Sequence, residues 1–353
     1  MTHLQHHHDS APAAEKASAA VPAMRGFDPE FTDITDYILR VTRRIWEGKQ
    51  VGLCLDYYSP DCPVYTLAGV TIGAAEVTQN TLTTLASFPD RTLEAVNLIW
   101  AGDEQTGFHT SHLIRSHMTN TSDSEYGVAA HKEATILVIA HCVIKNNRII
   151  EEWLVRDNYS LAQQLGKDPQ QVAQHWALKP VSERLTAWRD EQRQRLQQQV
   201  DFQRQVAGDD PESFIRSSLH NIWNARMVGD VYQSYAPDAV LHGTPGCELH
   251  GHAAIIGFYM QMLGTLSELR FSADYVCQQP NRDRGVDLAV RWSISGVHTG
   301  SARYGKPSGQ TLYILGESHY RLIDGKIVEE WTVFDELSVL TDIYRARAAQ
   351  NTL

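Results

Sequence analysis

The chain has 353 residues, enough for two or three domains that each bury a core of their own. Apolar residues make up 42% of it and charged residues 21%, as in soluble globular proteins, and no apolar run is long enough to span a bilayer. The net charge of −11 gives no electrostatic reason to expect nucleic acid or an anionic membrane as a partner.

The N-terminal segment is rich in Ala, Pro and His and lacks the apolar core of a signal peptide. We predict a disordered tail over residues 1–26, on which His6, His7 and His8 would make a poor metal site. The five cysteines are odd in number and include no CxxC pair, which indicates a reduced, cytoplasmic protein.

Each half of the remaining chain predicts the same order of elements: an amphipathic helix, a short strand, a second helix and four strands rich in Val, Ile, Thr and Trp. The predicted ranges are 31–47, 63–65 and 73–87 in the first half, and 211–228, 240–242, 252–266, 270–277, 286–298, 310–323 and 326–334 in the second. Helices followed by a run of strands predict the α+β class. We expect two tandem cone-shaped α+β barrels, each a curved antiparallel sheet whose concave side is closed by helices.

The two halves are copies of one another. The segment IIEEWLVRD at 149–157 matches IVEEWTVFD at 327–335, and His141 aligns with His319. Landmarks further upstream are shifted by nearly the same number of residues, so chance does not explain the match. A repeat of this length indicates duplicated domains rather than a solenoid.

The repeat defines the predicted domain organisation. We place the first domain at 27–160 and the second at 208–353, joined by a helical linker at 161–207. Residues 182–205 are rich in Glu, Gln and Arg and contain no Gly or Pro. This part of the linker predicts one exposed helix that spaces or clasps the two domains.

An aspartate ends the last strand of each copy, Asp157 in the first and Asp335 in the second. Each alternates with a tryptophan, Trp153 or Trp331, so that aspartate and tryptophan share one face of their strand. Desolvation beside an apolar, aromatic face raises the pKa of a carboxylate, which can then act as general acid or base near neutral pH. The alternative is that each aspartate caps a helix, because helical segments follow both.

The turn after each histidine decides which face of the sheet the histidine uses. In the second copy, a two-residue turn at 324–325 would pair His319 with Glu330, on the face opposite the aspartate. A three-residue turn would pair it with Glu329, on the same face. The same alternatives hold for His141. Opposite faces would make the histidines interface or surface residues bonded to Glu, whereas a shared face would give each pocket a His–Asp pair for proton transfer.

Several aromatic residues and histidines could line the pockets. Tyr65 and its counterpart His242 end the first short strand, which favours a place in the pocket wall. Tyr58 and Tyr235 lie where a helix meets a strand, where core packing with a satisfied hydroxyl is the default. The full set of predicted substrate-binding residues is Trp331, Trp153, His242, Tyr65, Trp292, His298, Tyr235 and Tyr58.

No metal or cofactor is expected. The first copy carries His109, His112 and His117 on one predicted strand, but His109 and His112 face opposite sides of it. No carboxylate or cysteine lies at ligand spacing. Gly-rich phosphate loops and G-x-S-x-G elbows do not occur in the sequence.

Longer motifs extend the repeat and resemble a known family. They are RWSISGVHTG at 291–300, GKPSG at 305–309 and DGKIVEEW at 324–331 in the second copy, and FPD at 88–90 and DNYSLAQQLG at 157–166 in the first. They look like the pattern of SnoaL-like, polyketide cyclase-like domains of the nuclear transport factor 2-like superfamily. The resemblance implies that Asp157 and Asp335 act as acid and base on a substrate in the cone, helped by His141 and His319, which favours the three-residue turn.

The resemblance implies a cofactor-independent enzyme that uses Asp/His acid–base catalysis on a small organic molecule, of isomerase, cyclase, dehydratase or hydrolase type. The alternative is a non-catalytic small-molecule-binding or assembly module. Family members often dimerise through the open face of the sheet, so a tandem chain can form that pseudo-dimer internally, and a further homo-oligomer stays open. Because relatives differ in activity, the motifs specify the fold better than the reaction.

Overall fold

The structure is a computed structural model that describes residues 24–199, 201–206, 208–281 and 285–350. The predicted disordered tail therefore lies outside the described residues, except for residues 24–26. Within these ranges, no helix is both long and apolar enough to cross a membrane.

Each repeat folds into a six-stranded sheet with helices against it, which confirms the α+β class. The first repeat consists of α1 (Ile34–Trp46), α2 (Cys54–Tyr57), β1 (Pro63–Tyr65), β2 (Val70–Ile72), α3 (Gly73–Ser87), β3 (Thr92–Asp103), β4 (Gly107–Thr119), β5 (Glu133–Lys145) and β6 (Arg148–Arg156). The connection contains α4 (Asn158–Gln164), α5 (Pro169–Ala177) and α6 (Glu183–Gln199). The second repeat consists of α7 (Pro211–Trp223), α8 (Val231–Ser234), β7 (Tyr235–Gly243), β8 (Cys247–His250), α9 (Gly251–Leu263), β9 (Leu266–Pro280), β10 (Val286–His298), β11 (Thr311–Ile323), β12 (Lys326–Phe334) and α10 (Glu336–Gln350).

Both sheets are mixed and open. The strand order is β2-β1-β6-β5-β4-β3 in the first repeat and β8-β7-β12-β11-β10-β9 in the second. β1 runs parallel to β6, and β7 runs parallel to β12. Helix α3 carries the chain to the far edge, and the strands that follow return to β1, so β6 arrives beside it in the same direction. Each sheet thus contains one parallel pair beside the predicted antiparallel pairs, and neither sheet closes into a barrel.

Local sequence explains how the helices over the first sheet begin. Asp33 caps α1 by accepting a hydrogen bond from the Asp36 amide at 2.8 Å, and apolar residues at helical spacing bury one stripe of this helix. Helix α3 begins at Gly73, where φ is +84° and a Cβ would lie 2.1 Å from the carbonyl oxygen of Pro60. Only glycine fits there. The two helices form walls of the first cone.

The hairpin register follows neither alternative from the sequence. Residues 324–325 both have positive φ and form a two-residue turn, but a bulge then shifts the pairing of β11 with β12. His319 therefore pairs with Trp331, and the same shift pairs His141 with Trp153. Each histidine ends up on the face that carries the aspartate of its own repeat.

The two sheets pack against each other through these faces. Trp153 turns toward the second repeat, where the guanidinium of Arg291 lies 3.3 Å from the centre of its ring. The opposite face of β6 carries Glu152 and Leu154 toward the helices. The repeats therefore form an internal, face-to-face pair whose concave sides lie away from the shared interface.

Helix α6 is half-buried rather than fully exposed. Leu185 and Leu196 are buried, and the Trp188 ring stacks on Tyr65 at 5.1 Å and meets Tyr313 edge-on at 5.3 Å. The helix thus contacts both repeats, as a clasp would. The predicted domain boundaries stay predictions.

Candidate active site

An open cavity of about 590 Å³ lies in the first repeat, between helices α1 and α3 and the sheet. Its polar lining includes Tyr58, Arg91, Glu152 and Arg156. A smaller hollow of about 70 Å³ shares these four residues and adds His112. The main cavity has the size of a typical small-molecule site.

Glu152 is the buried acid of this cavity. The Tyr58 hydroxyl donates a hydrogen bond to Glu152 Oε2 at 2.8 Å. Burial raises the pKa of Glu152, an effect that the Tyr58 hydrogen bond and the charge of Arg156 only partly offset. Burial also holds the pKa of Tyr58 well above 10, so its hydroxyl stays a donor. A raised pKa moves this carboxyl group toward the range in which a side chain can both accept and donate a proton.

His112 is a second polar group that faces the inner hollow. Its side chain is buried, and its Nε2 has no hydrogen-bond partner in the described part of the chain. Burial, with the nearby His319, lowers the pKa of His112 to about 4, so the ring is neutral at pH 7. Buried polar atoms are normally hydrogen-bonded, so this nitrogen is suited to bind a polar atom of a ligand. The second repeat has Val290 at this position.

The corresponding cone of the second repeat is filled, leaving a hollow of only about 10 Å³. Trp292 occupies it and donates from Nε1 to Ser318 Oγ at 2.9 Å. Phe271 and Phe334 pack around the indole, with ring centres 6.1 and 6.0 Å away. The indole fits because Gly316 lies beside it; a Cβ at that position would be 2.1 Å from the ring.

A tyrosine–glutamate pair also occurs in the filled cone. The Tyr235 hydroxyl donates a hydrogen bond to Glu330, and burial raises the pKa of this glutamate to about 7. The pair matches Tyr58 and Glu152 of the first repeat. Of the predicted wall residues, Tyr58 lines the open cone and Trp292 lines the filled one, where Tyr235 is hydrogen-bonded to the lining residue Glu330.

Asp157 and Asp335 lie at the interface between the repeats and outside the open cavity. Asp157 caps α4 by accepting from the Ser160 amide at 3.0 Å, and also accepts from the Gly246 amide of the second repeat at 2.8 Å. Asp335 caps α10 by accepting from the Ser338 amide at 3.2 Å, and also accepts from Nδ2 of Asn158 at 2.8 Å. Burial raises the pKa of both aspartates. Their predicted place in a pocket is corrected, because their strand face meets the other repeat.

His141 and His319 belong to a buried polar network between the sheets. Glu317 accepts from the Ser111 hydroxyl and lies 3.0 Å from His141 Nδ1. Ser111 Oγ lies 2.8 Å from His319 Nε2, and His109 Nδ1 lies 3.2 Å from His141 Nε2. The histidines are thus interface residues bonded to Glu, and their predicted place in a cone is corrected for the same reason as that of the aspartates.

The network makes stability depend on pH through His319. Its Nδ1 is buried without a partner in the described residues, and burial lowers the pKa from 6.5 to about 4. The folded ring stays neutral while the unfolded chain takes up a proton below pH 6.5, so stability present above that pH is lost as the pH falls toward 4. The loss is on the order of 3 kcal/mol. Between pH 7 and pH 4, the free energy of unfolding measured with urea should therefore fall more in wild type than in His319→Gln. Parallel pH profiles of the two proteins would contradict this.

The other predicted wall residues also lie away from the open cavity. Tyr65 stacks on Trp153 at 5.7 Å, and His242 stacks on Trp331 at 5.5 Å. His298 is buried at the end of β10, against the loop that follows. None of these five residues lines the open cavity, and their predicted contact with a substrate stays a prediction. No group of three or more His, Cys, Asp or Glu in the described ranges is arranged to hold a metal ion.

Sequence reasoning missed the charged groups of the open cavity. Glu152 and Arg156 lie within the repeated motif, but on the strand face opposite Asp157. The sequence did contain a signal for these two residues, because they alternate with the apolar Leu154 and so share its face of a half-buried strand. Arg91 follows a Pro-Asp turn and carried no comparable signal.

Comparison with known protein families identifies one family, which matches a segment of each repeat. A family model described as SnoaL-like polyketide cyclase matches residues 37–165 and 214–343. None of the curated protein sequences matches the chain.

Solved structures of single domains are similar to parts of the chain. A protein of Jannaschia sp. CCS1 assigned as a SnoaL-like polyketide cyclase is 17% identical, with 36% of this chain and 89% of that chain covered and a TM-score of 0.32. IdmH of Streptomyces antibioticus, assigned as a polyketide cyclase, is 18% identical, with 37% and 97% covered and a TM-score of 0.33. A SnoaL-like polyketide cyclase of Agrobacterium tumefaciens C58 is 14% identical, with 37% and 97% covered and a TM-score of 0.32.

Proposed function

The chain belongs to the SnoaL-like polyketide cyclase family, and on this premise we propose that its first repeat is the active domain of an acid–base enzyme and its second repeat a structural partner. The family's fold suggests small-molecule binding or catalysis. One observation carries the proposal: the first cone is open, with about 590 Å³ around a buried carboxyl group, whereas the second retains about 10 Å³. A filled cone has no room for a substrate.

Glu152 takes the role that the sequence analysis gave to the aspartates. As a carboxylate it removes a proton from a carbon next to a carbonyl group of the bound molecule, and it returns that proton at another atom of the same molecule. The Tyr58 hydroxyl orients the carboxylate by its 2.8 Å hydrogen bond. Neutral His112 binds a polar atom of the substrate through its unpartnered Nε2. Such a transfer needs no cofactor and suits an isomerisation or a cyclisation.

The second repeat supplies one wall contact from outside the active domain. Asn158 lines the open cavity, and its amide group is held by Asp335 of the second repeat at 2.8 Å. We therefore assign to the second repeat the assembly role that the sequence offered as the alternative for the whole chain. The cysteines are all free, which supports a reducing compartment, and we place the enzyme in the cytoplasm.

Glu152→Gln is expected to reduce turnover at least about a hundredfold, because a glutamine cannot carry the proton. The matched control is Glu330→Gln, the same change at the equivalent position of the filled cone. A metabolite extract is incubated with each protein and analysed by untargeted mass spectrometry, after urea unfolding has established that each variant is folded.

A metabolite consumed by wild type and Glu330→Gln, and spared by Glu152→Gln, would support the proposal. Consumption by Glu152→Gln at the wild-type rate would refute the role of Glu152. Metabolites bound by wild type without being consumed would favour the binding module over the enzyme.

A further inference from the structure

Two arginines line the open cavity without forming an ion pair to any described carboxylate. Arg91 is only 5% exposed, and its Nε donates to Ser116 Oγ at 2.9 Å. Its guanidinium packs over the Trp46 ring at 4.8 Å. Within the described chain its terminal nitrogens form no hydrogen bond, and no carboxylate comes within 4 Å of them. These nitrogens can therefore bind a ligand in the cavity that Arg91 lines.

Arg156 is the second cation, one strand position beyond the apolar Val155. Its Nε is buried, and neither a hydrogen bond nor an ion pair reaches its guanidinium from any described residue. Burial and the charge of Arg156 together lower the pKa of Arg91 to about 9. Buried charges are normally paired, since an unpaired one is costly.

The acidic residues around the cavity form no ion pair with either arginine in the described part of the chain. Glu152 is bonded to Tyr58, and burial favours its protonated form. Asp123 and Glu125 line the cavity on the loop between β4 and β5; Asp123 accepts from a backbone amide, and neither residue forms an ion pair with a described residue. Burial raises the pKa of Glu125 and Glu152 and the charge of Arg156 lowers it in part, but neither carboxyl group forms a hydrogen bond or ion pair with a described guanidinium group of the cavity.

The filled cone has no such cations. By the register of the two sheets, Arg91 corresponds to Leu269 and Arg156 corresponds to Phe334, both buried and apolar. The two repeats share one fold, but the open cone has two arginines at positions where the filled cone has apolar residues. The fold does not require arginine at either position, so the pair is a property of the open cavity.

We propose that the substrate of the first repeat carries a carboxylate group, which binds between Arg91 and Arg156 while the rest of the molecule occupies the cavity. The proposal rests on the proposed function in one respect, that this cavity holds the substrate. Guanidinium groups bind carboxylates through paired, charge-assisted hydrogen bonds. Binding would complete the hydrogen bonds of both side chains and offset their repulsion.

The test uses matched pairs of aromatic probes, in which a carboxylate is compared with the carboxamide of the same ring system. Benzoate, 2-naphthoate and 9-anthracenecarboxylate give three sizes, and affinity is measured by calorimetry on the full chain. Wild type should bind the carboxylate of the best-fitting pair at least about tenfold more tightly, as expected for charged hydrogen bonds. Arg156→Met should bring the ratio close to one, and Arg156→Lys should leave an intermediate ratio.

Arg115→Met is the matched control, because it removes a positive charge from the half-exposed surface pair with Glu94. It should keep the wild-type ratio. Equal affinity of carboxylate and carboxamide in wild type, or no binding of any pair, would overturn the proposal. Because these readouts do not depend on turnover, they separate its failure from that of Glu152 as the acid–base group.

Discussion

Trp292→Ala is expected to lower the free energy of unfolding by about 3–5 kcal/mol while the folded protein keeps its turnover. The Trp292 side chain is 4% exposed and fills the second cone, so its removal leaves a cavity and takes away the hydrogen bond that it donates to Ser318. Urea unfolding measures the loss. An unfolding free energy within 1 kcal/mol of wild type would show that the cone is not packed as described.

A double-mutant cycle tests whether the indole and the glycine beside it form one unit. Gly316→Val alone should destabilise strongly, because a Cβ there would lie 2.1 Å from the Trp292 ring. Trp292→Ile combined with Gly316→Val recreates the Ile114–Val138 pair of the first repeat. The double variant should be more stable than the sum of the single changes predicts; strict additivity would contradict the coupling.

The sequence predicted the elements well where their signal is local. The ranges 73–87, 286–298 and 326–334 were predicted as they are observed, because each has its own periodicity and ends at Gly or a turn. The duplication was equally clear, since six of the nine residues at 149–157 recur at 327–335. Such features depend on neighbours along the chain, and the sequence contains those neighbours.

The sequence did not predict which face of the last strand meets the cavity. Trp153 and Val155 form an apolar face, as a pocket wall would, but that face is buried against the second repeat. The alternating face, with Glu152 and Arg156, looks like a solvated surface and lines the cavity instead. Burial by another domain and burial around a ligand give the same local pattern, so alternation alone cannot distinguish them.

The sequence also did not predict which cone is open. The second copy has the fuller family motif, including Trp292, yet that indole closes its cone. The difference depends on a few exchanged side chains, such as Ile114 for Trp292 and Arg156 for Phe334, that meet across the sheet and the helices. Whether such side chains fill a cone is a matter of volume in three dimensions, and motif similarity does not measure volume.

The interface between the repeats should be as sensitive as the filled cone. Glu317 is 1% exposed and accepts from Ser111 across the sheets and from His141. Glu317→Ala is expected to lower the free energy of unfolding by about 3–5 kcal/mol, because it leaves buried polar groups of the first repeat without their partner. Urea unfolding at pH 7 measures the change.

Glu317→Gln is the matched control, since it keeps an acceptor oxygen of the same shape and should cost less than the alanine. Equal stability of wild type and Glu317→Ala would show that the network does not hold the repeats together. The two variants also test how the repeats cooperate, because Asp335 of the second repeat holds Asn158 in the wall of the open cavity at 2.8 Å. If loosening the interface at Glu317 lowers turnover in protein that is still folded, the filled repeat contributes to the site through this contact. If turnover is unchanged, the second repeat stabilises the first without shaping its cavity.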